Sequence, residues 1–149
     1  MLNSEIKLAI VVSTFNQEVT EGLLEGALSA LMEAGISKNH VEVHKVPGAV
    51  EIPLTAKLLA LRNKFHAIIC LGAVIRGETT HYDYVCQQVS QGCQQVMMEF
   101  NIPVIFGVLT TENDEQAKAR SSDDKSMNKG REAAHAAIHM ANLVERLQV

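Results

Sequence analysis

The densest concentration of chemically able side chains is the run Gly72-Ala73-Val74-Ile75-Arg76-Gly77-Glu78-Thr79-Thr80-His81-Tyr82-Asp83-Tyr84. Gly77 and two threonines just ahead of a helical stretch form an anion cradle, since backbone N–H groups and the helix dipole both favour phosphate there. No Gly-Lys-Ser/Thr follows, so the run is not a Walker loop. His81 falls at the helix entrance, and an imidazole moves protons near neutral pH. A lone histidine is more often structural, but one beside a phosphate-type loop is a better candidate than most.

Other residues have two readings each. Phe15, in Ser13-Thr14-Phe15-Asn16-Gln17, can stack on a planar heterocycle or close the top of the core. Pro47-Gly48 makes a tight turn that leaves free N–H groups near the start of the next helix. Glu51 there either favours that helix dipole or accepts hydrogen bonds from ligand hydroxyls. Arg120 and Lys129 bracket a polar break, Ser121 to Asn128. Each is a surface cation, or completes an anion site if the break folds over it. His135 and His139 lie four apart on a helix, but with no third ligand evident a solvated face is the favoured reading and no metal site is expected. His40, His44 and His66 suggest no constellation.

These residues are punctuated by alternating short apolar runs and longer amphipathic ones. Strands are expected over 7–13, 41–46, 67–74 and 104–110, the first and third buried on both faces. Helices are expected over 19–34 (stopped by Gly35), 52–61, 82–100, 114–120 and 129–147. Pro53 is tolerable in a first turn. Strands alternating with helices imply an α/β fold, with a parallel sheet covered on both faces by right-handed crossovers. Ligands of such sheets bind at the carboxyl ends of the strands, here 13–18, 47–51, 72–81 and 110–114.

Composition sets the outer limits. A length of 149 residues suits one domain, 1–149, with a full core. With 47% hydrophobic and 20% charged residues it reads as globular, and a formal charge of −4 argues against a nucleic-acid partner. No apolar run approaches the ~20 residues that span a bilayer, so no membrane is expected. The N-terminus has no leader pattern, and three cysteines without a Cys-x-x-Cys pair suit reduced thiols in the cytoplasm. Cys86 and Cys93, seven apart, read as core filler.

Phe15-Asn16, PGAVEIP (47–53), GAVIRGETTHYDYV (72–85), VIFGVLTTEN (104–113) and Asn128-Lys129-Gly130 together resemble the lumazine synthase family, in order over nearly the whole chain. The resemblance implies a three-layer α/β/α sandwich of flavodoxin-like type, with a four-stranded parallel sheet. It implies the penultimate step of riboflavin biosynthesis, with no metal or redox cofactor. Phe15 would stack on the pyrimidine of 5-amino-6-ribitylaminouracil. Ala49, Val50 and Glu51 would hold the ribityl chain, and the backbone of Ala73, Val74 and Ile75 would read the polar ring edge. Glu78 and Thr79 would bind the phosphate of 3,4-dihydroxy-2-butanone 4-phosphate, with the Glu78 side chain turned away, and Arg120 would neutralise it. His81 would shuttle protons, Phe106 would contact the pyrimidine from a neighbouring subunit, and Lys129 would lie near that ring.

The chain departs from the family after Arg120, where SSDDKSMNKG replaces a shorter, Gly-rich turn. That favours a homo-oligomer of one pentamer, or a decamer of two, over an icosahedral shell, and it bears on where Lys129 sits. The six residues before Lys7 are long enough to add an edge strand to a neighbour's sheet. Other readings compete. A phospho-receiver needs acidic residues where Ser13-Thr14 and Gly72-Ala73 stand, and a flavodoxin needs a phosphate loop where Phe15-Asn16-Gln17 stands. A catalytically weak paralogue that binds riboflavin-like ligands or serves as a scaffold stays open beside the enzyme.

Overall fold

The computed structural model describes residues 1–148. Two apolar runs build its centre: β1 (Leu8–Ser13), buried throughout, and β3 (Ala67–Ile75), buried except at its last residue. They pair in parallel, flanked by β2 (Val41–Val46) and β4 (Val104–Thr111) in the order β2-β1-β3-β4, all parallel. A strand walled in on both faces has no use for alternation, which is why the central pair reads as continuous Val, Ile and Leu. The outer strands are more exposed, and among the described residues β4 pairs only with β3.

Strand geometry sorts the core into two layers. Leu8, Ile10 and Val12 of β1 with Ile69, Leu71 and Ala73 of β3 face α1 (Gln17–Glu33) and α5 (Lys129–Leu147). Ala9 and Val11 with Ile68, Cys70 and Val74 face α2 (Ile52–Ala60) and α3 (His81–Phe100). The short α4 (Asp114–Arg120) follows β4. Each large side chain buried this way contributes about 1.5–3 kcal/mol relative to exposure. Cys70 and Cys93 sit buried within the second layer, as core residues.

The expected elements are present, with bounds shifted by two residues at most. Gly35, at φ +85°, stops α1, with its N–H on the Met32 carbonyl and that of Ile36 on Leu31. Short 3-10 turns at Asn3–Glu5, Lys38–His40 and Ala49–Glu51 add to the expected pattern. The first of these folds the N-terminal residues onto their own chain. Asn3 donates to the Ala34 carbonyl (2.8 Å), Ile6 is fully buried, and the Met1 ammonium lies 3.9 Å from Glu145.

Two glycines let a pair of helices touch. A Cβ on Gly130 would lie 1.9 Å from the Leu23 carbonyl oxygen, and one on Gly26 2.1 Å from Asn128 Oδ1. Glycine at both positions lets the first turn of α5 press onto α1, which fixes where Lys129 begins that helix.

Candidate functional site

The carboxyl ends of β1 and β3 frame a cavity of about 420 Å³. Past β1 the backbone keeps pairing toward β2, Thr14 N–H to Val46 (2.8 Å) and Phe15 N–H to Pro47 (2.9 Å). Asn16 then turns in the left-handed region (φ 61°), where asparagine is among the most tolerant residues. Its side chain donates to the Ala73 carbonyl at 3.0 Å, tying the two strand ends together. The turn leaves the Phe15 ring on the cavity wall and 71% exposed, so it is not a lid on the core.

Ala49 and Val50 border the same cavity from the turn before α2. Glu51 does not; its Oε1 accepts the Gly48 N–H at 2.9 Å, so that carboxylate serves local capping through one oxygen. Ala73, Val74 and Ile75 supply the β3 side. Next comes the loop 77–80, from which Gly77 and Thr79 face inward and Glu78 does not. The His81 N–H donates to Thr79 Oγ1 (3.3 Å) and that of Asp83 to the Thr80 carbonyl (3.0 Å), so the loop ends as the first turn of α3. The His81 ring lies on the wall, followed by Tyr84, Val85 and Gln88. Tyr82 borders the cavity too, and burial pushes its phenol up, so it keeps its proton.

A second cavity, about 370 Å³, lies along β4 between α4 and α5, and it gathers Phe106, Arg120 and Lys129. Phe106 is half-exposed on the strand. Arg120 donates to the Gln116 carbonyl (2.9 Å), and Lys129 Nζ to Glu132 (2.9 Å). The unusual 121–127 segment is organised by polar side chains in place of glycines. Asn128, buried, donates to the carbonyls of Gly22 (3.1 Å) and Ser122 (2.8 Å) and accepts the Arg131 N–H (3.1 Å). Asp124 accepts from the Ser126 hydroxyl and N–H, which holds its carboxyl below the usual range. Glu33 receives Arg131 (2.6 Å) and Lys125 (2.9 Å), and these hydrogen bonds lower it to about 2. The segment thus leads from Arg120 to Lys129 on the wall of one cavity.

The two cavities share no lining residue. Sequence reasoning gives no individual site role to Asn16, Tyr82, Tyr84, Val85 and Gln88, and reads Gly48 only as part of a turn. A signal exists for three of them: Tyr84, Val85 and Gln88 follow His81 at i+3, i+4 and i+7, one face of a helix. A larger concavity, about 590 Å³, opens at the amino ends of the strands beside His66 and Pro103, away from the 77–80 loop. Size is the weaker guide here, because ligands of open parallel sheets bind outside the carboxyl ends of the strands. Among the described residues no three His, Cys, Asp or Glu side chains are grouped to hold a metal ion, and no helix is long and apolar enough to cross a membrane.

Residues 5–145 match the sequence model of a family described as 6,7-dimethyl-8-ribityllumazine synthase. A 6,7-dimethyl-8-ribityllumazine synthase of Coxiella burnetii (strain RSA 493 / Nine Mile phase I) is 55% identical over 149 residues, covering 100% of this chain and 98% of the relative. One of Desulfotalea psychrophila is 54% identical over 142 residues, covering 95% and 91%.

Proposed function

Since the chain belongs to the 6,7-dimethyl-8-ribityllumazine synthase family, transferases of riboflavin biosynthesis, we propose how its residues divide the work. The reaction joins 5-amino-6-(D-ribitylamino)uracil to 3,4-dihydroxy-2-butanone 4-phosphate and releases phosphate and water. Membership carries small-molecule substrates and homo-oligomeric assembly with it.

In this reading Phe15 stacks on the pyrimidine, and the peptide groups of Ala73, Val74 and Ile75 bond its polar edge. Ala49 and Val50 line the ribityl chain, whose hydroxyls reach the Glu51 oxygen not used on Gly48. The N–H groups of Glu78 and Thr79 hold the phosphate, and a side chain turned away spares it the repulsion of the Glu78 carboxylate. Two small substrates held side by side supply much of the rate. The remainder is proton traffic: the 5-amino group attacks the ketone, water leaves to give an imine, phosphate is eliminated, and ring closure sheds a second water. His81 takes and returns these protons.

The observation that carries this reading is the meeting of Phe15, the 77–80 loop and His81 around one cavity at the strand ends. Among the described residues that cavity has no Lys or Arg on its wall, whereas Arg120, Phe106 and Lys129 line the other. A complete site therefore draws these three from a neighbouring subunit. Leu54 and Leu58 on α2, Leu61 just past its end, and Tyr84 and Met98 on α3, all large and exposed, support extensive subunit contact. Without the Gly-rich turn, a pentamer or a decamer is the assembly we favour. Three free thiols suit the cytoplasm.

The test mixes purified protein with both substrates and follows product by absorbance and fluorescence against the spontaneous background. Arg120→Ala is expected chiefly to raise KM for the phosphorylated substrate. An effect confined to the pyrimidine substrate, or no product from folded protein, would sink the assignment.

A further inference from the structure

Arg76 has no role in this division of work, yet it is the most heavily engaged side chain at the strand ends. Its Nε donates to Glu112 Oε2 at 2.6 Å, with Nη2 reaching Oε1 at 3.5 Å. Its Nη1 lies 3.6 Å from Asp83 Oδ1, and the guanidinium sits over the Tyr82 ring, 4.3 Å from its centre. Its own N–H donates to the Thr111 carbonyl at 2.9 Å, the last rung between β3 and β4. Glu112 is anchored in turn, its N–H on Gln116 Oε1 at 2.8 Å. One side chain thus joins the end of β3, the corner after β4 and the first turn of α3.

The loop 77–80 hangs between these attachments. Its internal ties are few: the Thr79 hydroxyl receives the His81 N–H, and the Thr80 carbonyl receives those of Asp83 and Tyr84. Gly77 has open space where a side chain would stand. A backbone cradle binds phosphate only while its N–H groups stay convergent, and the loop's own contacts do little to keep them so. We infer that Arg76 is a positioning residue that clamps both ends of the 77–80 loop, through Glu112 at one end and Tyr82 and Asp83 at the other, so that the loop is preformed for the phosphate of the butanone substrate. The inference rests on reading that loop as the phosphate cradle. Arg76 does not itself bind the phosphate, because its fork is committed to two carboxylates.

Glu112→Gln separates clamp from ligand. A direct phosphate ligand released from Glu112 would bind phosphate as well as before or better, whereas a broken clamp binds it worse. Assembled full-length protein would be assayed for KM of each substrate and for competitive inhibition by inorganic phosphate. Glu112→Gln and Arg76→Ala should each weaken inorganic phosphate and raise KM for the butanone phosphate by about tenfold, with KM for the pyrimidine changed less than about twofold. The double variant should be no worse than Arg76→Ala alone, since both remove one device. Arg76→Lys should recover part of the loss, keeping a cation without the fork. Melting should barely move, because ion pairs this exposed contribute little to stability. Phosphate binding that is unchanged or tighter in Glu112→Gln overturns the inference. If the wild-type enzyme makes product but inorganic phosphate does not compete with the butanone phosphate, the cradle reading itself fails and the clamp falls with it.

Discussion

His81, the proposed proton carrier, stands outside the core. Its N–H is taken by Thr79, its ring stands exposed at the cavity wall, and the buried layer of α3 starts further on, at Val89. The nearby Tyr82 phenol, its proton held on by burial, is a poor exchanger near neutrality. An imidazole that accepts and returns protons contributes about 10²–10⁴-fold to such steps. His81→Ala should therefore lower kcat by up to that factor while subunit assembly, followed by sedimentation, stays intact. Unchanged kcat would remove the residue from the mechanism. Legibility at this scale follows residue type: a ring, an imidazole and a Gly-Thr loop stand out in the sequence as candidates, and the structure gathers them at one cavity. Glu51 and Asn16 do not, since a carboxylate serving a cap and an amide bridging two strand ends differ from idle ones only in three dimensions.

At the scale of elements, the contact between α1 and α5 positions Lys129 on the cavity along β4, the second half of the proposed site. Gly130→Ala in an ordinary helix interior would stabilise by about 0.5–1 kcal/mol. Here the new Cβ would meet the Leu23 carbonyl oxygen at 1.9 Å, a backbone atom that cannot rotate away. The sign should reverse, to a loss of about 1–3 kcal/mol as α5 is pushed off α1, read from the denaturant midpoint. The displaced Lys129 should raise KM for the pyrimidine substrate. A variant as stable as the wild type would show that the helices do not meet this closely. The elements themselves are readable because their periodicity is strong: α4 and α5 fall on their expected bounds, and β3 runs one residue past its own. The 3-10 turns are not, since three residues carry no period. The 121–127 segment is legible only as a change. Asp124 acts on its near neighbour Ser126, but that Asn128 and Glu33 would organise the segment depends on α1, about a hundred residues away.

On the scale of the whole molecule, the decisive fact is one no spacing could convey: residues expected to act on one pair of substrates lie in two separate cavities of a single chain. The sequence places Phe106, Arg120 and Lys129 after the cradle loop, but not which side of β4 they line. If one subunit contributes Phe15, the 77–80 loop and His81 while its neighbour contributes Arg120, two defective variants can repair each other. His81→Ala subunits retain Arg120, and Arg120→Ala subunits retain His81. In rings assembled from an equal mixture, about a quarter of the interfaces would pair an intact imidazole with an intact guanidinium. Co-refolded protein, assayed at low butanone phosphate where the Arg120 defect is most visible, should then approach a quarter of wild-type activity and exceed the mean of the separately refolded variants. A site contained in one chain allows no such repair, because each chain would carry one lesion whatever its neighbour. Activity no higher than that mean, from oligomers shown by mass spectrometry to be mixed, would return Arg120 to the subunit that carries His81.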